Sequence, residues 1–428
     1  MTQLSVSRPD AAMEKKGRGR DWILLPAVCL LTAGVIAISA EALSRHFFPV
    51  RQIGFQTCFA TNDPTGDAPV KPNSVCWEQM AESRLPAEYK FNSRGHRAGT
   101  ELMPKQPGTY RIVLIGSSLT QGLFIPRDKT FAALLPAQLS LEAGRKVEIY
   151  NEASGGKFRG GPFPTRDSAS HFAEVLAAQP DLILWVLTPT DVINAMPEAT
   201  AKIPEGRSQL NVPPSGTASA PTGNVWDKFQ TVLARVNILD RVWDRVGDRL
   251  KNRWEQTRTS MVLKHLLLAN ESKEEYVQSY LKNEDEAGFL QSNPGAKWQD
   301  RIENFDAEIA EIAGLAKSAG VPLAAVYVPN RAQAAMISMG DWPSGYDPFQ
   351  LDRELRQTVL GDGETFVDIL PDYKGISDPE QHYFPIDGHP DAGGHAIISR
   401  LLAKGLTNGA VPALKTPPPP EIAREPGK

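Results

Sequence analysis

The chain lacks an excess of charge of either sign, and it has only one long hydrophobic run. In 428 residues, 46 Lys and Arg balance 50 Asp and Glu, and the formal net charge is −4. These absences exclude a disordered polyelectrolyte and a multi-span membrane protein. They also argue against a nucleic-acid-binding protein, which should present a basic face. There is no His-Glu-x-x-His motif and no cysteine ligand set, so we predict no metal and no other cofactor.

The single apolar run covers residues 22–40 and follows a basic cluster at positions 15–20. It corresponds to roughly 28 Å of helix, close to the ~30 Å hydrocarbon core of a bilayer. The positive charge before the run should keep residues 1–21 in the cytoplasm and place the rest in the periplasm or another extracytoplasmic space. A cleaved signal peptide is the alternative, because the small residues Ser39 and Ala42 lie at the end of the run. Since hydrophobic regions of signal peptides are usually shorter, we expect a single-pass membrane anchor.

Three cysteines occur in the chain. Cys29 lies inside the apolar run, whereas Cys58 and Cys76 follow it in a stretch rich in Pro, Asn and Asp. In an oxidising compartment this pair can close a loop, which is worth about 3 kcal/mol on chain-entropy grounds. The spacing also allows two free thiols. We expect the disulfide.

Short apolar strands alternate with helical patterns in residues 108–195 and again in 300–410. This alternation is typical of βαβ units and predicts an α/β domain with a parallel sheet. We expect residues 41–107 to be irregular, because prolines interrupt them, and residues 411–428 to form a Pro-rich tail. Residues 196–299 combine a Pro/Ser-rich loop with an amphipathic helix or hairpin, which predicts a structural cap. A substrate lid or a surface facing a membrane or a partner remains the alternative.

Two segments carry residues suited to catalysis. Gly116-Ser-Ser-Leu-Thr-Gln-Gly122 directly follows a predicted strand, at the end where open α/β sheets bind ligands. A structural helix cap is the alternative for its serines. Asp387-Gly-His389 precedes the last helix and can supply a base together with the acid that orients it. A metal site is the alternative for this second segment.

At these residues the sequence resembles the SGNH (GDSL-type) hydrolases, and in particular their bacterial membrane-anchored members. Four segments in the right order carry the resemblance, namely Gly116–Gly122, Asn151–Gly156, Pro180–Asp191 and Asp387–His389. It implies a flavodoxin-like three-layer α/β/α sandwich with a parallel sheet. It also implies that Ser118 is the nucleophile, His389 the general base and Asp387 the residue that orients the base.

The resemblance further implies an oxyanion hole formed by Ser118, Gly156 and Thr190. Two positions depart from the family pattern. Ser117 replaces an aspartate, which should affect the turn more than the chemistry. Thr190 replaces an asparagine whose amide normally donates to the oxyanion, and loss of one such donor costs about 10²–10³ in rate.

These features predict a membrane-anchored extracytoplasmic serine esterase that acts on O-acyl, and in particular O-acetyl, esters of a glycan or a lipid. The alternatives are an O-acyltransferase within an envelope polysaccharide machinery, which would use the same acyl-enzyme, and a catalytically degenerate glycan-binding or scaffold protein. The predicted partners are the acylated substrate and the membrane, without nucleic acid.

Overall fold

The computed structural model describes the chain in five segments, which are residues 18–58, 70–83, 85–153, 168–195 and 254–415. The first element is helix α1, Arg18–Phe47, which contains the predicted anchor. By length and composition, its segment Leu24–Phe47 is sufficient to cross a membrane.

A small antiparallel sheet follows α1, with the spatial order β1-β2-β3. Its strands are β1 Arg51–Ile53, β2 Val75–Gln79 and β3 Ala87–Lys90. The expectation that residues 41–107 are irregular is therefore wrong for these segments. The strands have only three to five residues each, and such short segments give little alternation between the intervening prolines.

A disulfide joins Cys58 to Cys76, with a Cα–Cα distance of 6.0 Å. Both cysteines are fully buried in a small hydrophobic cluster that also contains Leu123, Phe124 and Phe384. These three residues belong to the segments that follow Ser118 and precede Asp387 in the sequence. The small sheet therefore packs against both predicted catalytic segments.

The main sheet is parallel and has five strands in the spatial order β5-β4-β6-β7-β8. The strands are β4 Tyr110–Gly116, β5 Val147–Asn151, β6 Leu182–Leu187, β7 Leu323–Tyr327 and β8 Thr365–Val367. All residues of β4, β6 and β7 are buried, as expected for strands covered on both faces. Numbered from the first strand of this sheet, the order is 2-1-3-4-5, which is the flavodoxin-like order. The predicted fold class is confirmed.

Helices cover both faces of this sheet. The strand order reverses direction between the β4–β5 and β5–β6 connections, and right-handed crossovers in opposite directions place their helices on opposite faces. Apart from the single turn Glu284–Ala287, the helices described in the domain are α2 Ser118–Gln121, α3 Phe131–Glu142, α4 Ser168–Ala177, α5 Pro189–Ile193, α6 Arg258–Ala269, α7 Lys273–Tyr280, α8 Ala296–Ala319, α9 Arg331–Met339, α10 Gln350–Gly361 and α11 Ala392–Gly405. Helix α3 packs with α11, while α8 packs with α4, α5 and α10.

The predicted insertion, residues 196–299, is described from Trp254 onward. This part contributes Tyr276, Phe289 and Trp298 to the main hydrophobic core. Its end also lies inside α8, which begins at Ala296, so the predicted boundary at 299 is too late. The described part of the insertion is therefore integral to the domain core.

Two carboxyl groups are buried where α8 packs on α5. Burial raises the pKa of Glu308 to about 8, and the neighbouring carboxylates Asp191 and Glu311 contribute to the shift. Burial also raises the pKa of Asp191 to about 6, although hydrogen bonds from Thr188 and Ser117 oppose the increase. The folded protein therefore keeps Glu308 protonated at pH values where the unfolded chain does not.

We expect Glu308→Gln to flatten the pH dependence of stability. Between pH 4.5, the ordinary value for glutamate, and about 8, the unfolded chain has lost the Glu308 proton while the folded protein keeps it, so stability falls as the pH rises. Gln removes this loss. Urea unfolding of the full chain in detergent should show the variant stabilised relative to wild type at pH 8 and little changed at pH 4. Glu303→Gln, on the exposed side of α8, is the control. An equal effect of Glu308→Gln at both pH values would contradict the prediction.

Candidate active site

Ser118 follows β4 after one intervening residue, Ser117, and is the first residue of the single-turn helix α2. The turn depends on Gly116, whose φ is 150°. A Cβ atom at this position would lie 2.8 Å from the Val186 carbonyl oxygen and would also collide with the Thr120 side chain. Only glycine permits this close approach of β4 to β6. Ser118 itself remains partly exposed.

Three predicted catalytic residues meet at the carboxyl end of the sheet. The Ser118 Oγ atom lies 2.7 Å from His389 Nε2, and His389 Nδ1 lies 2.5 Å from Asp387 Oδ1. With the Nδ1 proton donated to Asp387, Nε2 can accept the hydrogen bond from the Ser118 hydroxyl. The Phe124 ring packs at 81° to the imidazole, with 5.6 Å between the ring centroids. This arrangement can remove the proton from Ser118 as its oxygen attacks.

The ends of β4 and β6 are joined through a buried carboxyl group. Asp191 accepts hydrogen bonds from the backbone and the hydroxyl of Thr188, both at 2.7 Å, and the Ser117 side chain lies close enough to lower the pKa of its carboxyl group. Ser117, which departs from the family pattern, thus brings the turn before the nucleophile close to the start of α5.

Thr190 and Gly156 were the other predicted oxyanion donors. Strands β4 and β6 are neighbours in the sheet, and Gly116 pairs with Val186. Thr190 follows β6 as Ser118 follows β4, and it is exposed in the first turn of α5. Gly156 lies outside the described residues. The structure thus places Ser118 and Thr190 at adjacent strand ends.

His395 does not take part in this arrangement. It is buried in α11 and stacks on the Phe131 ring at 5.6 Å between centroids. Its Nδ1 atom accepts a hydrogen bond from the Phe131 backbone N–H. Burial lowers the pKa of His395 to about 3, with smaller contributions from His389 and Arg97. His395 is therefore a neutral packing residue.

The described residues contain no group of three or more His, Cys, Asp or Glu side chains suited to hold a metal ion. The acid–base pair of the site is formed by Asp387 and His389.

Sequence reasoning assigned no role to Arg97, although it lies in the segment before β4. Its buried guanidinium donates hydrogen bonds to the carbonyl oxygens of Gln121, Gly122 and Ile125, and to that of Glu88 on β3. One guanidinium group therefore binds three carbonyl oxygens of the segment that follows Ser118. A lone buried arginine leaves no periodic signal in a sequence, so only the structure could identify this contact.

Tyr89 on β3 strengthens the same support. Its ring lies 4.3 Å below the Arg97 guanidinium, and its hydroxyl accepts a hydrogen bond from the Phe124 backbone N–H at 3.0 Å. Phe124 has a φ of 66°, an unusual conformation for a bulky residue that surrounding contacts must maintain. The small sheet thus fixes the segment that carries the ring packed against His389.

Comparison with known proteins gives similarity in structure only, since no protein-family model and no curated protein matches the chain. One similar solved structure is an alpha/beta hydrolase from the metagenome of Lake Arreo, Spain, with 16% identity, a TM-score of 0.32 and coverage of 71% of this chain and 96% of that chain. A mutant of the acetyl-xylooligosaccharide esterase Axe2 from Geobacillus has 12% identity, a TM-score of 0.33 and coverage of 71% and 96%.

A protein from Slackia heliotrinireducens, described as an SGNH hydrolase, has 12% identity, a TM-score of 0.28 and coverage of 70% of this chain and 99% of that chain. It carries the name of the family that the sequence motifs resemble. The fold of the chain is defined by its own strand order, and the site by its own hydrogen bonds.

We expect Arg97→Lys to reduce the reactivity of Ser118 by about 10- to 100-fold, because small displacements of reacting groups cost this much. A lysine cannot bond all the carbonyl oxygens that the guanidinium now binds. The measurement is the rate at which a fluorophosphonate labels the full chain, beside a thermal unfolding curve. Arg353→Lys, at an exposed arginine, is the control. A variant that folds and is labelled at the wild-type rate would show that Arg97 does not position the nucleophile.

Proposed function

We propose that this protein is a serine ester hydrolase of the SGNH type, anchored in a membrane by α1. The observation that carries the proposal is the chain of hydrogen bonds from Ser118 through His389 to Asp387. A serine hydroxyl is a weak nucleophile until a base takes its proton. The order of the four sequence motifs supports the family, and the flavodoxin-like strand order agrees with it.

The mechanism follows from the positions of these atoms. As Ser118 Oγ forms a bond to the ester carbonyl carbon, its proton passes to His389 Nε2, and the carbonyl oxygen becomes an oxyanion. Asp387 stabilises the imidazolium that results. The imidazolium then donates its proton to the leaving alcohol as the carbon–oxygen bond breaks, which leaves an acyl-enzyme on Ser118. A water molecule, activated by His389 in the same way, releases the acid and restores the serine.

The oxyanion needs hydrogen-bond donors aimed at the place where its charge develops. We assign this role to the backbone N–H of Ser118 and the hydroxyl of Thr190, which lie at adjacent strand ends, together with the predicted donor Gly156. The threonine hydroxyl is shorter than the asparagine amide of the family pattern, so the reaction should be slower than with the amide.

We propose O-acyl, and in particular O-acetyl, esters of an envelope glycan or a lipid as the substrate class. The support is the location that the anchor implies. Helix α1 is long and apolar enough to cross a bilayer, and the basic residues before it favour a cytoplasmic N-terminus. The Cys58–Cys76 disulfide agrees with an oxidising extracytoplasmic compartment.

We expect Ser118→Ala and His389→Ala each to lower the hydrolysis of p-nitrophenyl acetate by at least about 10³-fold, because the residues of a triad act as a unit. Fluorophosphonate labelling should also disappear in Ser118→Ala. His382→Ala, at a half-exposed histidine seven residues earlier, is the matched control and should keep full activity. Labelling of the wild type without turnover would indicate a transferase that lacks its acceptor. Neither labelling nor turnover in the folded wild type would favour a binding or scaffold protein.

Changes at Thr190 should test the oxyanion assignment. Thr190→Val keeps the shape but removes the hydroxyl, and it should lower kcat by about 10²-fold with little change in KM, as expected for a donor used in the transition state. Thr190→Asn restores the longer amide and should raise kcat above that of the wild type. Steady-state kinetics with p-nitrophenyl acetate provide the measurement. Equal kcat values for Thr190→Val and the wild type would remove Thr190 from the oxyanion hole.

A further inference from the structure

A buried carboxylate from outside the α/β core binds the backbone of the segment that contains Asp387 and His389. The Glu82 side chain, between β2 and β3, is 1% exposed. Its Oε1 atom accepts the Ile386 N–H at 2.9 Å, and its Oε2 atom accepts the Asp387 N–H at 3.0 Å. Both oxygens of one carboxylate thus bind two successive backbone donors of a single segment.

This contact fixes the peptide group between Ile386 and Asp387. Hydrogen bonds from backbone N–H groups to a carboxylate are stronger than those between neutral groups, and their desolvated position makes each costly to lose. Gly388, the next residue, has a φ of 85°, a conformation that favours glycine and leaves the chain free to turn. The orientation of Asp387 relative to His389 therefore needs a restraint, and Glu82 supplies one.

The other end of this segment is restrained separately. Arg331, at the start of α9, donates to the carbonyl oxygen of Pro385 at 3.0 Å and to that of Glu380 at 3.2 Å. Arg331 thus binds carbonyl groups that precede Asp387, whereas Glu82 binds the N–H groups of Asp387 and of the residue before it. Removing Glu82 alone should therefore loosen the segment without releasing it from the domain.

Glu82 has a third partner, His265 on α6. The His265 Nδ1 atom lies 3.1 Å from Glu82 Oε1, and the imidazole, which is 24% exposed, lies 6.3 Å from the Phe48 ring. Helix α6 is joined to α1 at its first turn, where Glu41 accepts the N–H groups of Arg258 and Thr259 at 3.0 and 2.8 Å. A continuous set of contacts thus connects the apolar helix α1 to the catalytic segment.

We propose that Glu82 is a positioning residue that holds Asp387 and His389 in their reactive orientation, and that His265 orients the Glu82 carboxylate. The inference rests on the proposed hydrolase function, because it assigns Glu82 a role in the same site. It makes the region between the anchor and the core part of the catalytic apparatus.

The experiment compares Glu82→Gln, Glu82→Asp and His265→Ala with the wild type, all as full chains in detergent, using p-nitrophenyl acetate. Gln keeps the size of the side chain but has one acceptor oxygen, and Asp keeps the charge but is one methylene shorter. We expect Glu82→Gln to lower kcat by about 10- to 100-fold with KM within about twofold, because the acid and base lose their alignment while the ester still binds. His265→Ala should lower kcat by about threefold, as a partner that acts only through Glu82.

Glu82→Asp should have a higher kcat than Glu82→Gln, because Asp keeps the charge that binds the backbone N–H groups. A purely structural role would depend on size and would give the opposite order. Glu101→Gln is the matched control, at an exposed glutamate of the same region that also accepts a backbone N–H, that of Ser93. If Glu82→Gln does not fold, the partly exposed His265→Ala still tests the inference. Wild-type kcat in both Glu82→Gln and His265→Ala, or a loss confined to KM, would overturn it. An inactive and unlabelled wild type would instead refute the hydrolase function itself.

Discussion

The hydrogen bond between Ser118 Oγ and His389 Nε2 joins residues that are 271 positions apart in the chain. It forms only if the turn after β4 and the segment before α11 meet within a few tenths of an ångström. The parallel sheet brings the two segments to the same side of the domain, because the carboxyl ends of all its strands lie there. It does not by itself set their final orientation, since both segments are irregular backbone with glycines at the turns, at Gly116 and Gly388.

That orientation comes from two buried charges supplied by the region before the core. Arg97 binds carbonyl oxygens that follow the nucleophile, and Glu82 binds N–H groups beside the catalytic acid. The cation pairs with acceptors and the carboxylate with donors, so each leaves few backbone groups unsatisfied in a water-poor setting. The small sheet carries or contacts both charges, because Glu82 lies between β2 and β3 and Arg97 binds Glu88 and Tyr89 of β3. The precision of the site therefore depends on a substructure that lies outside the α/β sandwich.

Sequence patterns predicted the parts of the molecule that leave periodic or motif signals. The apolar runs at β4 and β6 were identifiable because continuous burial on both faces requires continuous apolar sequence. The Ser118, Asp387 and His389 segments were identifiable because their chemistry requires particular residues between glycines. The strands β1 to β3 were missed because they are too short to alternate visibly, and the core residues within the insertion because it begins with a Pro/Ser-rich loop.

Arg97 and Glu82 could not be found in this way for a different reason. Both bind backbone atoms of the catalytic segments. Every residue provides such atoms, so the contacted segments need no characteristic side chains. A charged residue in a loop is usually solvated, and nothing in the sequence separates Glu82 from exposed glutamates such as Glu101. Only burial distinguishes them, because a carboxylate with 1% exposure must have partners to offset its desolvation. In a site built from loops, buried charge that binds backbone is therefore the feature that tells which surrounding region belongs to the catalytic apparatus.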